Sequence, residues 1–293
     1  REAFSQAKFS YLTDLDAPKL GSILAKLSQE GKSVQTVNDW LQACKQFVTW
    51  LVNNNRLSRS PFLSLKAGNV ATDRRHIRRA LSGAELAKLL ETTRRCEKCF
   101  RGLSGQDRFA IYMTACRTGL REKELSRLTR ADFDLDSSPP TVSLAAKATK
   151  NKKKATIPLS SELLEVLRVY LPTCPTTGPV WPGQWFEQGS KMLRKDLAQA
   201  GITYRDEQGD VFDFHGLRGQ FATDLVRAGV ELSAAQKLMR HSTPVLTANV
   251  YVKETTAELG LSVASLPAIL QPSPPRPPAN RRSAIMARST CWR

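Results

Sequence analysis

Histidine is scarce in this chain of 293 residues, which contains only His76, His215 and His241. Any reaction that needs an imidazole therefore has few candidates. No apolar run approaches the roughly 20 residues that a membrane-spanning helix requires, and the N-terminus has no signal-peptide core. The glycine-rich phosphate loop, the dinucleotide-binding glycine motif, the H-E-x-x-H zinc motif and the G-x-S-x-G serine motif are all missing. The familiar signatures of several large enzyme classes are thus absent.

Acidic residues are few relative to basic ones. The chain has 27 Asp and Glu against 44 Lys and Arg, which gives a formal net charge of +17. Such an excess predicts a polyanionic partner, most often nucleic acid, and an affinity that depends on salt. A membrane surface is the weaker interpretation, because no basic stretch continues as a long amphipathic helix with a Trp/Phe/Leu face.

The six cysteines are irregularly spaced and do not form a recognisable disulfide framework, which favours a reducing cytoplasm. Cys96 and Cys99 have the spacing of zinc ligands, but a structural zinc site needs a second pair. Ordinary cysteines are therefore the favoured interpretation, and we expect neither a metal nor a cofactor.

The first unit of the chain is small, helical and basic. Apolar residues recur at helical spacing over residues 20–27 and 34–52, and Ser33 is a plausible N-cap for the second helix. We therefore predict a helical domain over residues 19–66. Residues 1–18 are poorly periodic, and because the chain begins with Arg1 rather than Met, we expect them to be an N-terminal remnant.

A basic linker is predicted over residues 67–80. Within it, one acidic residue, Asp73, stands among four arginines: Arg74, Arg75, Arg78 and Arg79. One interpretation is a solvated connection, and the other is a segment that lies against DNA phosphates. The four arginines are candidate DNA contacts under the second interpretation.

The second domain is predicted over residues 81–268, with a Pro/Arg-rich disordered tail over 269–293. Ser82 and Glu85 have the spacing of a capping box, and helices are expected near 82–91, 106–116, 161–170, 190–200, 213–228, 233–240 and 244–258. Two short strands are predicted over 141–145 and 155–157, joined by a lysine-rich turn. The fold class is therefore mainly α with a small β-sheet.

The C-terminal half contains the most specific pattern. His215 and Arg218 are three residues apart on a predicted helix and so share one face. His241 follows in Leu-Met-Arg-His-Ser, and Tyr251 comes ten residues later. Each residue alone has an ordinary structural explanation, but the ordered set His-x-x-Arg, His and Tyr is specific.

This set resembles the tyrosine recombinase (phage integrase) family. The resemblance continues in the segment R-T-G-L-R-E-K-E-L of residues 117–125, which looks like the family's box with its first catalytic arginine. Arg121 takes that position, and Glu124 takes the acidic position that supports the site. The resemblance spans roughly residues 20–265. It implies that the helical domain of residues 19–66 is a DNA-binding core-binding domain and that a mixed α+β catalytic domain follows it.

The predicted hairpin resembles the one that carries the family's catalytic lysine. Alignment on Pro158 selects Lys150 for this role, although the turn offers five lysines: Lys147, Lys150, Lys152, Lys153 and Lys154. Lys152 and Lys153 are then candidate contacts to the DNA backbone.

The chemistry of these residue types suits attack on a phosphodiester. Two guanidiniums, Arg121 and Arg218, match phosphate oxygens with planar forks of donors and keep their charge. His241 adds a further hydrogen bond to the same phosphate. Preorganised donors of this kind stabilise the more highly charged transition state.

The resemblance makes Tyr251 the nucleophile. A phenol is almost wholly protonated at neutral pH, so it needs a proton acceptor and positive surroundings. His215 is the candidate base, and Lys150 is the candidate acid for the departing 5′ oxygen. A 3′-phosphotyrosyl intermediate conserves the bond energy and requires no metal.

The resemblance thus implies a site-specific recombinase that acts on double-stranded DNA as a tetramer, in the cytoplasm and associated with the nucleoid. A type IB topoisomerase uses a similar residue set, but the N-terminal helical domain favours the recombinase. A non-catalytic DNA-binding regulator on the same scaffold is the third hypothesis. It is disfavoured because every reactive position is filled.

Overall fold

The computed structural model describes residue 5, residues 8–146 and residues 154–251. Its first unit is a pair of helices, α1 (Ala17–Gln29) and α2 (Val34–Asn53). Asp16 caps α1 by accepting from the Lys19 N–H at 3.0 Å, and Ser33 caps α2 as predicted. Apolar residues from both helices, such as Leu20 and Val48, form one small buried cluster together with Phe62, which follows α2.

Part of the segment that we expected to be a remnant belongs to this unit. Phe9 and Leu15 pack against the cluster formed by α1 and α2, and the rings of Phe9 and Phe62 lie 6.3 Å apart. The weak periodicity of residues 1–18 therefore did not reveal this packing, because single apolar side chains can join a core without forming a helical stripe.

The second unit is larger and has its own hydrophobic cluster. Its helices are α3 (Gly83–Arg94), α4 (Gly105–Thr118), α5 (Glu122–Leu125), α6 (Ser161–Tyr170), α7 (Gly189–Gln199), α8 (Phe214–Arg227), α9 (Leu232–Met239) and α10 (Pro244–Tyr251). Capping boxes begin α3 and α4, the first of them the predicted pair of Ser82 and Glu85. The short helix α5 is absent from the sequence prediction because four residues show no periodicity.

A small antiparallel sheet lies in the same unit, with strands β1 (Phe133–Asp134), β2 (Thr141–Leu144) and β3 (Ala155–Pro158) in that order. Val142 pairs with Ile157, and both side chains are buried. The sequence predicted β2 and β3 but not the two-residue strand β1. Residues 147–153, between β2 and β3, lie outside the described residues.

Helix α4 is the central element of the second unit. It is buried on almost every side and contacts α3, α6 and α8. Within the core, Arg108 of α4 forms two hydrogen bonds with Asp196 of α7, at 2.9 and 3.1 Å, and Tyr112 donates to the same carboxylate at 2.7 Å. Because this buried charge pair is hydrogen-bonded on both sides, it fixes the position of α4 relative to α7. The predicted fold class, mainly α with a small sheet, is confirmed.

Candidate active site

The C-terminal end of α4 places Arg121. Gly119 ends the helix with a φ of +62°, and a Cβ at this position would lie 2.7 Å from Phe221 Cδ1, so glycine suits the turn for two reasons. Arg121 follows as the N-cap residue of α5. Its backbone N–H donates to Glu124 Oε2 at 2.8 Å, and its Nη1 donates to Glu124 Oε1 at 3.1 Å. Glu124 therefore fixes both the backbone and the guanidinium of Arg121.

Glu124 itself is 2% exposed and accepts from a second arginine, because Arg240 Nη2 lies 2.9 Å from its Oε2. Burial alone would raise the pKa of this carboxyl. The positive charge of Arg240 and the hydrogen bonds from both arginines outweigh that effect and lower the pKa. Glu124 is thus a buried carboxylate that carries its negative charge between two guanidiniums.

Arg218 lies on α8 and is 3% exposed. Its guanidinium donates to the carbonyl oxygens of Gly119 and Met239, which fix its orientation between the ends of α4 and α9. Burial, followed by the positive charges of Arg121 and Arg240, lowers the pKa of Arg218 to about 9. It therefore remains charged at neutral pH, in surroundings that would be favourable for an anion.

His215 precedes Arg218 by three residues on α8, and its side chain is accessible to solvent. Partial loss of hydration and the charges of Arg78 and Arg218 lower its pKa. The ring is consequently neutral at pH 7 and able to accept a proton.

His241 follows the end of α9. Its Nδ1 lies 2.9 Å from the Thr247 hydroxyl of α10, so the imidazole joins α9 to α10. Burial, followed by the charges of Arg218 and Arg121, lowers its pKa to about 4. The four predicted residues Arg121, His215, Arg218 and His241 thus influence one another in a single charged cluster.

Of the remaining predicted catalytic residues, Tyr251 belongs to a described helix, whereas Lys150 lies outside the described residues. Tyr251 is the last residue of α10, and α10 packs against α8, which carries His215 and Arg218, and against α9, which His241 follows. Lys150, Lys152 and Lys153 lie outside the described residues, so their assignment stays a prediction.

The linker arginines make contacts within the protein. Arg75 donates through Nε to Asp73 and through Nη1 to the Gly31 carbonyl, each at 2.6 Å. The same Asp73 accepts from the Val34 N–H at the start of α2 at 2.8 Å. This part of the linker is therefore tied to the helical pair.

The next part of the linker is tied to the second unit. Arg78 binds Asp213 through Nε and Nη2, each at 2.8 Å to its nearer oxygen, and Arg79 binds Glu85 at 3.1 Å. Arg74 is exposed. The role of these four arginines in DNA binding stays a prediction, and the structure adds that three of them also hold the linker in place.

Sequence reasoning missed two residues at this site. Asp213 caps α8 by accepting from the Gly216 N–H at 2.9 Å while it binds Arg78 and His76. Its position before the Phe-His-Gly-Leu-Arg segment is a capping signal that was available. Arg240 directly precedes His241 in the sequence, but no local pattern predicts its contact with Glu124.

The two cysteines at zinc-ligand spacing lie in different surroundings. Cys96 is buried and its thiol contacts Gln199 Oε1 at 3.2 Å, whereas Cys99 is exposed. In residues 5, 8–146 and 154–251, no group of three or more His, Cys, Asp or Glu side chains is arranged to hold a metal ion. Nor does that part of the chain contain a helix long and apolar enough to cross a membrane.

Comparison with known proteins identifies the class. The sequence model of the phage integrase family matches residues 79–258, which is more than half of the chain, so the chain belongs to this family. It is similar to Tyrosine recombinase XerC of Haemophilus ducreyi, with 26% identity over 231 residues that cover 78% of this chain and 71% of the relative. The family and enzyme class predicted from the sequence, a tyrosine recombinase, are thereby confirmed.

Solved structures share the fold. The integrase of transposon Tn1549, in complex with transposon right end DNA, superposes with a TM-score of 0.69 at 15% identity over 90% of each chain. The XerH site-specific recombinase bound to a palindromic difH substrate gives a TM-score of 0.66 at 20% identity, over 90% of this chain and 76% of XerH. At these identities the likeness shows that the chain has the same fold as these structures.

Proposed function

We propose that this chain cuts and rejoins double-stranded DNA at specific sites by transesterification, through a 3′-phosphotyrosyl intermediate on Tyr251. One observation carries the proposal. Arg121, the α8 pair of His215 and Arg218, and His241 come from three separate segments and form one charged cluster beside α10, the helix that contains Tyr251. Such convergence of residues distant in sequence is what a preorganised site requires.

In this proposal Arg121 and Arg218 bind the nonbridging oxygens of the scissile phosphate. Each is oriented by the protein before DNA arrives, Arg121 by Glu124 and Arg218 by two carbonyl oxygens. Burial and, after it, repulsion from Arg121 and Arg240 lower the pKa of Arg218, and an anion bound between the arginines would offset that repulsion. Because the donors are already in place, little reorganisation is needed as charge develops on the phosphate.

His241 is the third phosphate ligand. With its pKa lowered to about 4, the ring is neutral at pH 7 and carries its proton on one nitrogen only. If Nδ1 accepts from the Thr247 hydroxyl, the proton lies on Nε2, which then donates to a phosphate oxygen.

Each step of the reaction exchanges one phosphorus–oxygen bond for another. Tyr251 Oη attacks phosphorus and its proton passes to His215, while the bond from phosphorus to the 5′ oxygen breaks. Lys150 supplies the proton that this leaving oxygen takes up. A 5′-hydroxyl of a second strand then reverses the steps, so the phosphodiester is restored without an external energy source.

The net charge and the similar structures both support double-stranded DNA as the partner. The net charge of +17 favours a polyanion, and the Tn1549 and XerH structures contain DNA. We further propose that four copies assemble on two DNA sites and that the protein is associated with the nucleoid, as the family resemblance implies.

The test begins with the DNA that flanks the gene of this protein, on which protection and cleavage by the purified chain are mapped. A nicked suicide duplex of the mapped site then traps any covalent complex on a denaturing gel. We expect Tyr251→Phe to bind the duplex but to form no covalent band, whereas Tyr11→Phe, a change at an exposed tyrosine, retains the band. A covalent band with Tyr251→Phe would overturn the assignment.

A further inference from the structure

The backbone at Arg240 is unusual. Arg240 ends α9 with a φ of +53° and a ψ of +41°, the left-handed conformation for which glycine is the usual residue at a helix C-terminus. A side chain with a Cβ is strained there, and such strain is concentrated at functional sites. The residue that directly follows is His241, so this conformation also directs the chain into the active site.

The Arg240 side chain connects two parts of the site. Its Nη2 donates to Glu124 Oε2 at 2.9 Å and lies 3.4 Å from the Gly119 carbonyl oxygen. Glu124 is also the acceptor that holds Arg121, and Gly119 is also an acceptor for Arg218. Arg240 therefore shares one acceptor with each of the two phosphate-binding arginines.

The arrangement has an electrostatic cost. Arg121 and Arg240 share one carboxylate, their charges act on the nearby Arg218, and the Arg240 side chain is only 14% exposed. Among the described residues, nothing accepts from its buried Nε. The strain and the repulsion among the guanidiniums oppose folding, whereas the ion pair with Glu124 favours it, so a contribution to stability and a contribution to the site have to be separated by experiment.

We propose that Arg240 is a positioning residue for strand transfer, which holds Arg121 through Glu124 and fixes that pair relative to Arg218 and His241. The inference rests on the proposed function, because it assigns Arg240 to the same phosphate site. Arg240 acts through its contacts with Glu124 and Gly119.

The test uses single-turnover cleavage of the mapped suicide duplex at saturating protein. In Arg240→Gly the backbone strain is relieved while the contacts to Glu124 and Gly119 are lost. We expect the cleavage rate to fall about 10- to 100-fold, by analogy with the loss of a group that orients a metal-binding side chain. The apparent DNA Kd should change less than about threefold. Arg240→Lys, which keeps the charge and one donor group, should recover part of the rate.

The matched control is Arg101→Gly. Arg101 has a φ of +49° but is exposed, and its guanidinium contacts the Gln184 carbonyl rather than any site residue. This change relieves the same kind of strain and should leave cleavage unaltered. If wild-type protein forms no Tyr251-dependent covalent band, the proposed function fails. If wild type cleaves and Arg240→Gly cleaves within about threefold of it, only the positioning role fails.

Two further measurements separate positioning from a general structural effect. If Arg240 acts through Glu124, the double variant Arg240→Gly, Glu124→Gln should lose no more rate than the worse single variant, whereas independent, multiplying losses would refute the inference. The pKa of His241, about 4 in the wild type, should be higher in Arg240→Gly, because a neighbouring positive charge is removed. Proton NMR of both proteins without DNA measures this difference. An unchanged titration would place Arg240 outside the charged cluster.

Discussion

Asp213→Asn should destabilise the second unit through the loss of one negative charge. Asp213 is 6% exposed. Its carboxylate accepts from two guanidinium nitrogens of Arg78, contacts Nε2 of His76, and caps α8. Asparagine has nearly the same shape and is also a good N-cap. The substitution therefore removes the charge and largely preserves the cap.

The magnitude follows from the pKa of Asp213. Burial alone would raise it, but the hydrogen bonds from Arg78 and His76 outweigh burial and lower the pKa from 3.8 to about 2. A shift of about two units corresponds to roughly 2–3 kcal/mol of stability at neutral pH. For a unit of this size the melting temperature should fall by roughly 5–10 °C.

The pH dependence has a definite sign. Because the folded-state pKa is below the unfolded-state value, the stabilisation is fully present above about pH 4 and is lost as the pH falls towards 2. Urea unfolding of wild type and Asp213→Asn at several pH values measures this directly. The difference between the two proteins should shrink as the pH is lowered.

The control is Asp136→Asn. Asp136 also pairs with an arginine, Arg168, at 3.5 Å, but its side chain is 97% exposed. Exposed pairs of this kind contribute about 0–1 kcal/mol, so this variant should unfold close to wild type. The reasoning is refuted if Asp213→Asn is no less stable than Asp136→Asn at pH 7, or if its deficit does not change between pH 6 and pH 3.

Three further outcomes are expected. Arg218→Ala should slow single-turnover cleavage about 100- to 1000-fold, as for loss of a preorganised transition-state donor, and cleavage within tenfold of wild type would contradict its role. Lys150→Ala should slow cleavage of normal DNA but be rescued by a 5′-bridging phosphorothiolate, whose sulfur leaves without a proton. Rescue with Lys152→Ala instead would mean that the alignment on Pro158 is wrong. The logarithm of the DNA-binding constant should fall with the logarithm of salt concentration by roughly 0.9 per phosphate contacted, and a slope near zero would show that the positive charge is not engaged.

The sequence predicted those parts of the molecule that neighbouring residues determine. The helix that begins after Ser82, the helix expected near residues 106–116 and the paired strands β2 and β3 all follow local caps, turns and periodicity. The ordered motif that ends at Tyr251 also sufficed to recognise the family, because its spacing is set along the chain.

The tertiary structure alone decided which charges meet. Arg240 and Glu124 are 116 residues apart, Arg78 and Asp213 are 135 apart, and the buried pair of Arg108 and Asp196 is 88 apart. Periodicity describes contacts between residues three or four positions apart and contains no information about such pairs. The linker arginines illustrate the consequence, since composition suggested a solvated or phosphate-bound segment, whereas packing brought Asp213 close enough to bind Arg78.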